Sequence, residues 1–316
     1  MKKQAMRLLL AFCLAWTMTV GADASERMLI PGGYVVGIRL DTGGPVITGF
    51  EKGSPARAAG LRKGDVITAV DGIRVQTASQ LRDKVGEDQL VLTVLRSGKQ
   101  GQFCVVPAEE KLGIYVRDAV AGIGTVTYCD PQTGCFGALG HGVNDRDTTQ
   151  LLQSKSGVVV HADVDTVEKG TCGKPGELRG AFDLQQALGK VTRNTEKGIF
   201  GEFETVPAGR AMQVAKPEDV EKGAAAILVN VQGEKVERFS VEILEIHPQR
   251  ESGNRNLLLK ITDDNLLQKT GGIVQGMSGS PIIQDGKLVG AVTHVLVNDP
   301  TRGYGIFIEN MLEAAG

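Results

Sequence analysis

The N-terminal third of the chain alternates short apolar runs with glycine-rich breaks, a pattern typical of β-strands joined by tight turns. Residues 34–40 and 46–50 fit two strands, and residues 90–96 fit a third with strict alternation. Residues 54–60 fit a short helix that begins with an N-capping serine followed by proline. The pattern therefore predicts a small domain made mainly of strands, with one or two short helices.

From residue 111 onward the pattern changes to short Val/Ile-rich strands separated by glycine-rich turns. Residues 123–128, 157–161 and 225–231 are examples. Two stretches, Leu178–Leu188 and Pro217–Val220, are predicted to carry local helix. Many short strands with few helical segments favour an all-β barrel or sandwich for this part of the chain.

Length, charge and cysteine spacing limit the number of domains and the partners that we expect. The 316 residues are enough for about two domains. A net charge of −2 gives no basic surface for a nucleic acid. The sequence has neither Cys-x-x-Cys nor His-Glu-x-x-His spacing, so we expect no metal and no organic cofactor.

The first 24 residues are predicted to lie outside the folded domains. Lys2, Lys3 and Arg7 precede an apolar run that ends near an Ala-x-Ala site, the pattern of a secretory signal peptide. An uncleaved N-terminal membrane anchor is the alternative. Either one implies export from the cytoplasm.

Cys129 and Cys135 flank a turn. In an exported protein they could form a hairpin disulfide, and the alternative is two separate thiols.

Residues 30–107 resemble a PDZ domain of the bacterial type. The resemblance is carried by Gly53-Ser54-Pro55-Ala56, Ala59-Gly60-Leu61, Gly64-Asp65 and Val70-Asp71-Gly72, which follow one another in the family's order. PDZ domains bind an extended peptide as an added strand at an exposed sheet edge. The resemblance implies that Val36, Gly37 and Ile38 offer the backbone groups for that peptide. The alternative is a groove that only docks on the neighbouring domain.

The strongest local motif for chemistry is Gly276-Met277-Ser278-Gly279-Ser280-Pro281, followed by a hairpin. It resembles the nucleophile turn of trypsin-like proteases, with Ser278 at the position of the nucleophile. In such a turn the backbone N–H groups of Gly276 and Ser278 are expected to form the oxyanion hole. Met277 replaces the aspartate that pairs with a new N-terminus in trypsin zymogens, so activation of that kind is not expected.

A serine nucleophile needs a base within hydrogen-bond reach. Of the four histidines, His141 is preferred because glycines flank it and leave the ring accessible. His161 and His247 fit structural positions. His294 lies on the strand that leaves the nucleophile hairpin, and we interpret Thr293, His294 and Val295 as an edge that binds the substrate backbone.

The third member of a catalytic triad is a carboxylate that orients the histidine. Asp263 and Asp264 precede Ser278 in the chain order of trypsin-like enzymes. Spacing alone leaves four further aspartates open, namely Asp145, Asp147, Asp163 and Asp165.

The whole set of motifs resembles the stage IV sporulation protein B peptidase family. Beyond the PDZ pattern, the resemblance is carried by residues 137–142, 270–281 and 297–306. It implies a mainly β chain, with a PDZ domain followed by a trypsin-like double β-barrel serine protease domain at residues 108–316. It also implies a triad of His141, Asp263 and Ser278.

The resemblance further implies a signalling serine endopeptidase that works in the intermembrane space of a developing spore. An uncleaved N-terminal segment would anchor it to the membrane there. Its substrates would be itself and a membrane-bound sporulation regulator, whose cleavage triggers intramembrane proteolytic activation of a late mother-cell sigma factor. The PDZ groove would take a peptide C-terminus or an extended segment. A non-catalytic PDZ adaptor with a degenerate protease-like barrel is the alternative function.

Overall fold

The structure is a computed structural model that describes residues 27–144, 149, 151, 152, 154, 156–248 and 254–316. The predicted signal segment, Asp145 and Asp147 lie outside the described residues. Among the described residues, no helix has the length and apolar character needed to cross a membrane.

Strands make up most of the described chain. They are β1 (Met28–Pro31), β2 (Val35–Phe50), β3 (Val66–Val70), β4 (Ile73–Arg74), β5 (Leu90–Arg96), β6 (Lys99–Val105), β7 (Ile114–Cys129), β8 (Cys135–Ala138), β9 (Ser156–Glu168), β10 (Glu177–Thr195), β11 (Gly198–Phe203), β12 (Met212–Gln213), β13 (Gly223–Asn230), β14 (Val236–Ile246), β15 (Leu257–Ile261), β16 (Pro281–Gln284), β17 (Lys287–Leu296) and β18 (Asp299–Phe307). The helices are α1 (Pro55–Ala58), α2 (Ala78–Arg82), α3 (Asp264–Thr270) and α4 (Ile308–Ala315), with a 3-10 turn at Pro217–Asp219.

Six strands close the first barrel. Strand β2 pairs with β7 and β9, and the ring continues from β7 through β8, β11 and β10 back to β9. Alternate residues of these strands fill its interior, among them Val36, Ile38, Leu40 and Val159. This inward-facing period of two is what the sequence pattern predicts for a half-buried strand.

The PDZ domain is inserted between the first two strands of this barrel. The end of β2 pairs with the start of β7, with Val46 opposite Arg117 and Phe50 opposite Ile114, and strands β3 to β6 complete the sheet. Its core includes Ile47 and Leu92. The inserted domain therefore begins and ends later than the predicted 30–107, and residues 35–40 belong to the barrel.

The predicted peptide-binding residues of the PDZ domain are interior barrel residues. Val36, Gly37 and Ile38 pair with β7 on one side and with β9 on the other. Because both edges of the strand are already paired, these three residues have no free backbone edge for an added peptide. The structure thus corrects this prediction.

The second barrel is formed by β13, β14, β15, β18, β17 and β16, in that order around the ring. Its core includes Ile227, Leu259, Ile282 and Val292. The double barrel and the mainly β class confirm the predicted fold. The predicted helix at Leu178–Leu188 is wrong, since this stretch lies in strand β10, whereas the helical turn after Lys216 is confirmed.

The hairpin between Cys129 and Cys135 forms as predicted, with strands β7 and β8 on its two sides. Both cysteines are free thiols in the structure.

Candidate active site

The Ser278 loop begins where α3 ends. Gly271 closes that helix in the left-handed conformation, and Gly276 and Gly279 also have positive φ angles, of 96° and 97°. A Cβ on Gly279 would lie 2.0 Å from the carbonyl oxygen of Thr125, so no larger residue fits there. Met277 is completely buried in the core of the second barrel, where it cannot meet a charged N-terminus.

Strand β7 of the first barrel holds this loop by hydrogen bonds. The Thr125 hydroxyl donates to the Gly276 carbonyl at 2.7 Å, and the Thr127 hydroxyl donates to the Gly279 carbonyl at 2.8 Å. The backbone N–H of Thr125 donates to the Ser278 carbonyl at 3.0 Å. Both threonine side chains are fully buried. The position of the serine thus depends on a strand about 150 residues earlier in the chain.

The two serines of the motif differ in accessibility. Ser280 is fully buried, and its hydroxyl has no hydrogen-bond partner in the described part of the chain. Ser278 is half-buried, and its hydroxyl donates to the Thr293 carbonyl at 2.7 Å. Only Ser278 is therefore available to a substrate.

The backbone N–H groups predicted as the oxyanion hole are those of Gly276 and Ser278. The neighbouring N–H groups of Met277, Gly279 and Ser280 all donate to backbone carbonyls. Those of Gly276 and Ser278 have no acceptor among the described residues. Two unused donors beside the serine are what an oxyanion hole requires.

His141 follows strand β8, on a loop that also reaches strand β7. The N–H of Leu139 donates to the Thr125 carbonyl at 3.2 Å. Gly140 lies against Thr293, since an added Cβ would be 2.9 Å from that side chain's methyl carbon. The His141 and His294 rings are in tilted contact, with centroids 4.9 Å apart. The histidine loop and the serine loop therefore meet around Thr125 and Thr293.

Burial controls the charge of both histidines. It lowers the pKa of His141, and the hydrogen bond from the ring to the Gly142 carbonyl opposes that shift. Burial, with smaller effects from His141 and Arg255, lowers the pKa of His294 to about 4. Both rings are thus neutral near pH 7, and a neutral imidazole is the form that accepts a proton.

The predicted substrate-binding residues lie on β17, next to the serine. Pairing of β17 with β16 ends at Ala291, and its register with β18 is irregular between Val292 and Val295. Thr293, His294 and Val295 thus lie on a stretch of strand whose edge towards Ser278 has no paired strand within the described chain.

Asp263 has a different position from the one predicted. It is the N-cap of α3, and its carboxylate accepts hydrogen bonds from the N–H groups of Asn265 and Leu266 at 3.0 and 3.1 Å and of Ser240 at 3.3 Å. No hydrogen bond or ion pair joins it to His141 in the described part of the chain. The structure therefore does not bring Asp263 together with the other two predicted members of the triad.

The remaining candidates make contacts on exposed surfaces. Asp163 lies 3.3 Å from His161 on β9, and His247 pairs with Glu245 at 2.8 Å. His161, Asp163 and Glu234 together are the one group in the described chain with ligand atoms close enough to share a metal ion, within 4.8 Å of one another.

Several residues of the site were missed by the sequence analysis. Thr125 and Thr127 lie in a strand that the sequence predicts, but the sequence analysis assigned them no role in the site. A signal was available, because two polar residues alternate with Val126 in a segment that is otherwise apolar. Buried side chains of that kind need hydrogen-bond partners.

Comparison with known proteins shows the family of the chain. The family model of the SpoIVB peptidase S55 matches residues 108–312, and a PDZ model matches residues 46–96. The first match covers more than half of the chain. The chain belongs to the SpoIVB peptidase S55 family. It also carries a PDZ domain.

More distant similarities cover less of the chain. Two proteins named "Probable periplasmic serine endoprotease DegP-like", from Chlamydia muridarum and Chlamydia trachomatis, are 38% and 35% identical over 89 residues, which is 24% of this chain. The match spans only 18% of each relative's length. A crystal structure of the inactive form of Rv3671c from Mycobacterium tuberculosis is 15% identical, with 61% of this chain and 82% of that chain covered and a TM-score of 0.34.

The lowered pKa of His141 predicts how activity depends on pH. A histidine that acts as general base works when it is unprotonated, so with His141 in that role a lower pKa would keep the protein active at more acidic pH. We expect the acidic limb of kcat/KM to have its midpoint below 6.5, the ordinary value for histidine. The pH profile of peptide cleavage measures this midpoint.

His161→Gln serves as the control, because His161 is part of an exposed ion-pair cluster. This variant should retain the profile of the unmodified protein. A midpoint at or above 6.5 in the unmodified protein would contradict the assignment of a buried His141 as the base.

Proposed function

We propose that the peptidase works by acyl transfer, with Ser278 as nucleophile and His141 as general base. Nε2 of His141 takes the proton of the Ser278 hydroxyl as its oxygen attacks the substrate carbonyl. The negative oxygen that forms is bound by the N–H groups of Gly276 and Ser278. The observation that carries this proposal is the meeting of the two loops around Thr125 and Thr293, with both N–H groups unused.

The Ser278 hydroxyl has to change partner before it reacts. In the structure it donates to the Thr293 carbonyl at 2.7 Å, and attack requires that it donate to His141 instead. A substrate strand bound along Thr293–Val295 would compete for backbone groups at this edge. Substrate binding and release of the serine hydroxyl are therefore linked in this mechanism.

The biological role we propose is cleavage of the peptidase itself and of a membrane-associated regulator during spore formation. The regulator's cleavage would lead to activation of a late mother-cell sigma factor by intramembrane proteolysis. Family membership supports this role, and the basic and apolar pattern of residues 1–24 supports export to the intermembrane space. The similarity to proteins named as periplasmic endoproteases agrees with export.

Ser278→Ala tests the nucleophile. We expect it to lower kcat by at least ~10⁴-fold, because removal of a serine nucleophile eliminates the covalent step. Self-cleavage of the purified protein and hydrolysis of a peptide substrate measure this loss.

Ser280→Ala is the matched control, two residues away in the same loop. Its hydroxyl is buried and unpaired, so its removal should leave activity and stability close to those of the unmodified protein. The nucleophile assignment fails if self-cleavage persists unchanged in Ser278→Ala.

The PDZ domain offers a peptide groove at a place the sequence did not indicate. The first residues of β7 pair with β2 along one edge, and their other edge faces helix α2. Ile114 and Val116 line this groove from β7, and Leu81 and Val85 line it from the α2 side. A strand edge opposite an apolar helix face is the arrangement that binds a peptide by strand addition.

Charged side chains of both signs lie along the rim of this groove. Asp118 accepts a hydrogen bond from the N–H of Ala78 at 2.6 Å and ties β7 to the start of α2. Two cationic and three anionic side chains line the groove, namely Arg82, Lys111, Glu51, Glu109 and Glu110. We propose this groove, in place of residues 36–38, as the PDZ peptide-binding site.

Arg82→Glu tests the groove. Reversal of a charge at its rim should weaken binding of peptides with an apolar C-terminal residue by about 5-fold or more. Fluorescence polarisation with free-acid and amidated versions of the same peptides measures the effect.

Arg74→Glu makes the same charge change on exposed β4 and should leave the affinity unaltered. Equal affinities for Arg82→Glu and Arg74→Glu would place the peptide elsewhere.

A further inference from the structure

The tautomer of His141 is set by a backbone carbonyl. Its Nδ1 lies 2.9 Å from the carbonyl oxygen of Gly142. A carbonyl oxygen can only accept a hydrogen bond, so in the neutral ring Nδ1 carries the proton and Nε2 is unprotonated. That is the tautomer a general base needs, and in a Ser-His-Asp triad the carboxylate selects it. Among the described residues, no carboxylate contacts His141.

The Gly142 carbonyl is held in place from strand β10. Oδ1 of Asn194 accepts from the N–H of Val143 at 2.9 Å, and Nδ2 donates to the Val143 carbonyl at 2.9 Å. Nδ2 also donates to the Leu152 carbonyl at 3.0 Å. Asn194 thus binds both backbone groups of the residue that follows Gly142, and its amide has no donor left over.

Close packing at Gly142 strengthens this link. A Cβ on Gly142 would lie 2.7 Å from the carbonyl oxygen of Thr195, the residue after Asn194. Asn194 itself is paired with Ile199 in the β10–β11 hairpin. The histidine loop therefore rests directly on a rigid hairpin of the first barrel.

We infer that Asn194 is a positioning residue of the peptidase. Through Val143 it fixes the Gly142 carbonyl, and that carbonyl keeps the proton of His141 on Nδ1. This inference rests on the proposed role of His141 as general base. During attack the Ser278 proton moves to Nε2, while the Nδ1 proton remains hydrogen-bonded to Gly142, so the dipole of a neutral carbonyl stabilises the positive ring.

Asp263 has a separate role in this arrangement, because its carboxylate is engaged by three backbone N–H groups at the start of α3. Asparagine is an equally good N-cap and keeps an acceptor for those groups. A helix-capping role and a triad role for Asp263 therefore predict different effects of Asp263→Asn on activity.

The tautomer can be read directly by ¹⁵N NMR. The test uses protein with ¹⁵N-labelled histidine in the Ser278→Ala background, which prevents self-cleavage, and His141→Gln identifies the signals of that ring. We expect Nδ1 of His141 to be protonated and Nε2 to be unprotonated in the parent protein. In Asn194→Ala the ring should shift towards the Nε2–H tautomer. Asn265→Ala, an exposed asparagine on α3, should change nothing.

Kinetics with Ser278 intact provide the second readout. Asn194→Ala should lower kcat by about 10–100-fold with little change in KM, as is typical when support of a functional ligand or base is removed. Asn194→Asp should lose as much, because a carboxylate would repel the carbonyls of Val143 and Leu152. Asp263→Asn should keep kcat within a few-fold, and Asp263→Ala should lower the melting temperature.

Opposite outcomes would overturn the inference. These are an Nε2–H tautomer in the parent protein, no change of tautomer or kcat in Asn194→Ala, or a loss of about 10⁴-fold in kcat for Asp263→Asn, the loss expected of a triad aspartate. The NMR result does not depend on activity. Failure of the Ser278 assignment is thus distinguishable from failure of the Asn194 assignment.

Discussion

The site depends on the hydrogen bonds that strand β7 makes to the loop around Ser278. Thr125 contacts this loop with its hydroxyl and its N–H, and its carbonyl accepts from the loop that carries His141. A single buried residue of the first barrel therefore contacts both the Ser278 loop and the His141 loop and fixes their relative positions. Buried hydroxyls of this kind are costly unless paired, so the two loops and the strand are stable only together.

The same strand joins the two functional parts of the chain. It begins in the PDZ domain, where Ile114 lines the groove beside α2, and continues as a barrel strand to the two threonines. Because the PDZ domain is inserted between β2 and β7, both of its connections to the barrel are continuous strands. The groove and the active site thus share a rigid element without an intervening linker.

Local motifs were sufficient to predict Ser278 and His141 as candidates, and the structure places their loops next to each other. Ser278 lies in a turn whose glycines are required by φ angles and close backbone contacts, and His141 lies between two glycines, so short segments carry both signals. The PDZ domain was recognisable for the same reason. Each of these features depends on residues that are neighbours in the chain.

Features that depend on long-range pairing were not predictable in this way. Val36–Ile38 resembled a free strand because their partners, β7 and β9, lie more than 80 residues away. The predicted break at residues 43–45 is a register shift within one strand, because β2 continues to Phe50 while its pairing with β7 is irregular between Asp41 and Val46. Asp263 satisfies both the chain order of a triad and the signature of a helix N-cap. Only the fold shows which groups its carboxylate reaches.

The most direct test of the account is to identify the residue that reacts with a fluorophosphonate, a reagent that phosphonylates activated serines. The folded protein would be labelled, digested and analysed by tandem mass spectrometry. The account predicts one adduct, on Ser278, and none on the buried Ser280 in the same peptide. An adduct on Ser280 or on any serine outside this loop, or no adduct on a preparation that still cleaves itself, would contradict it.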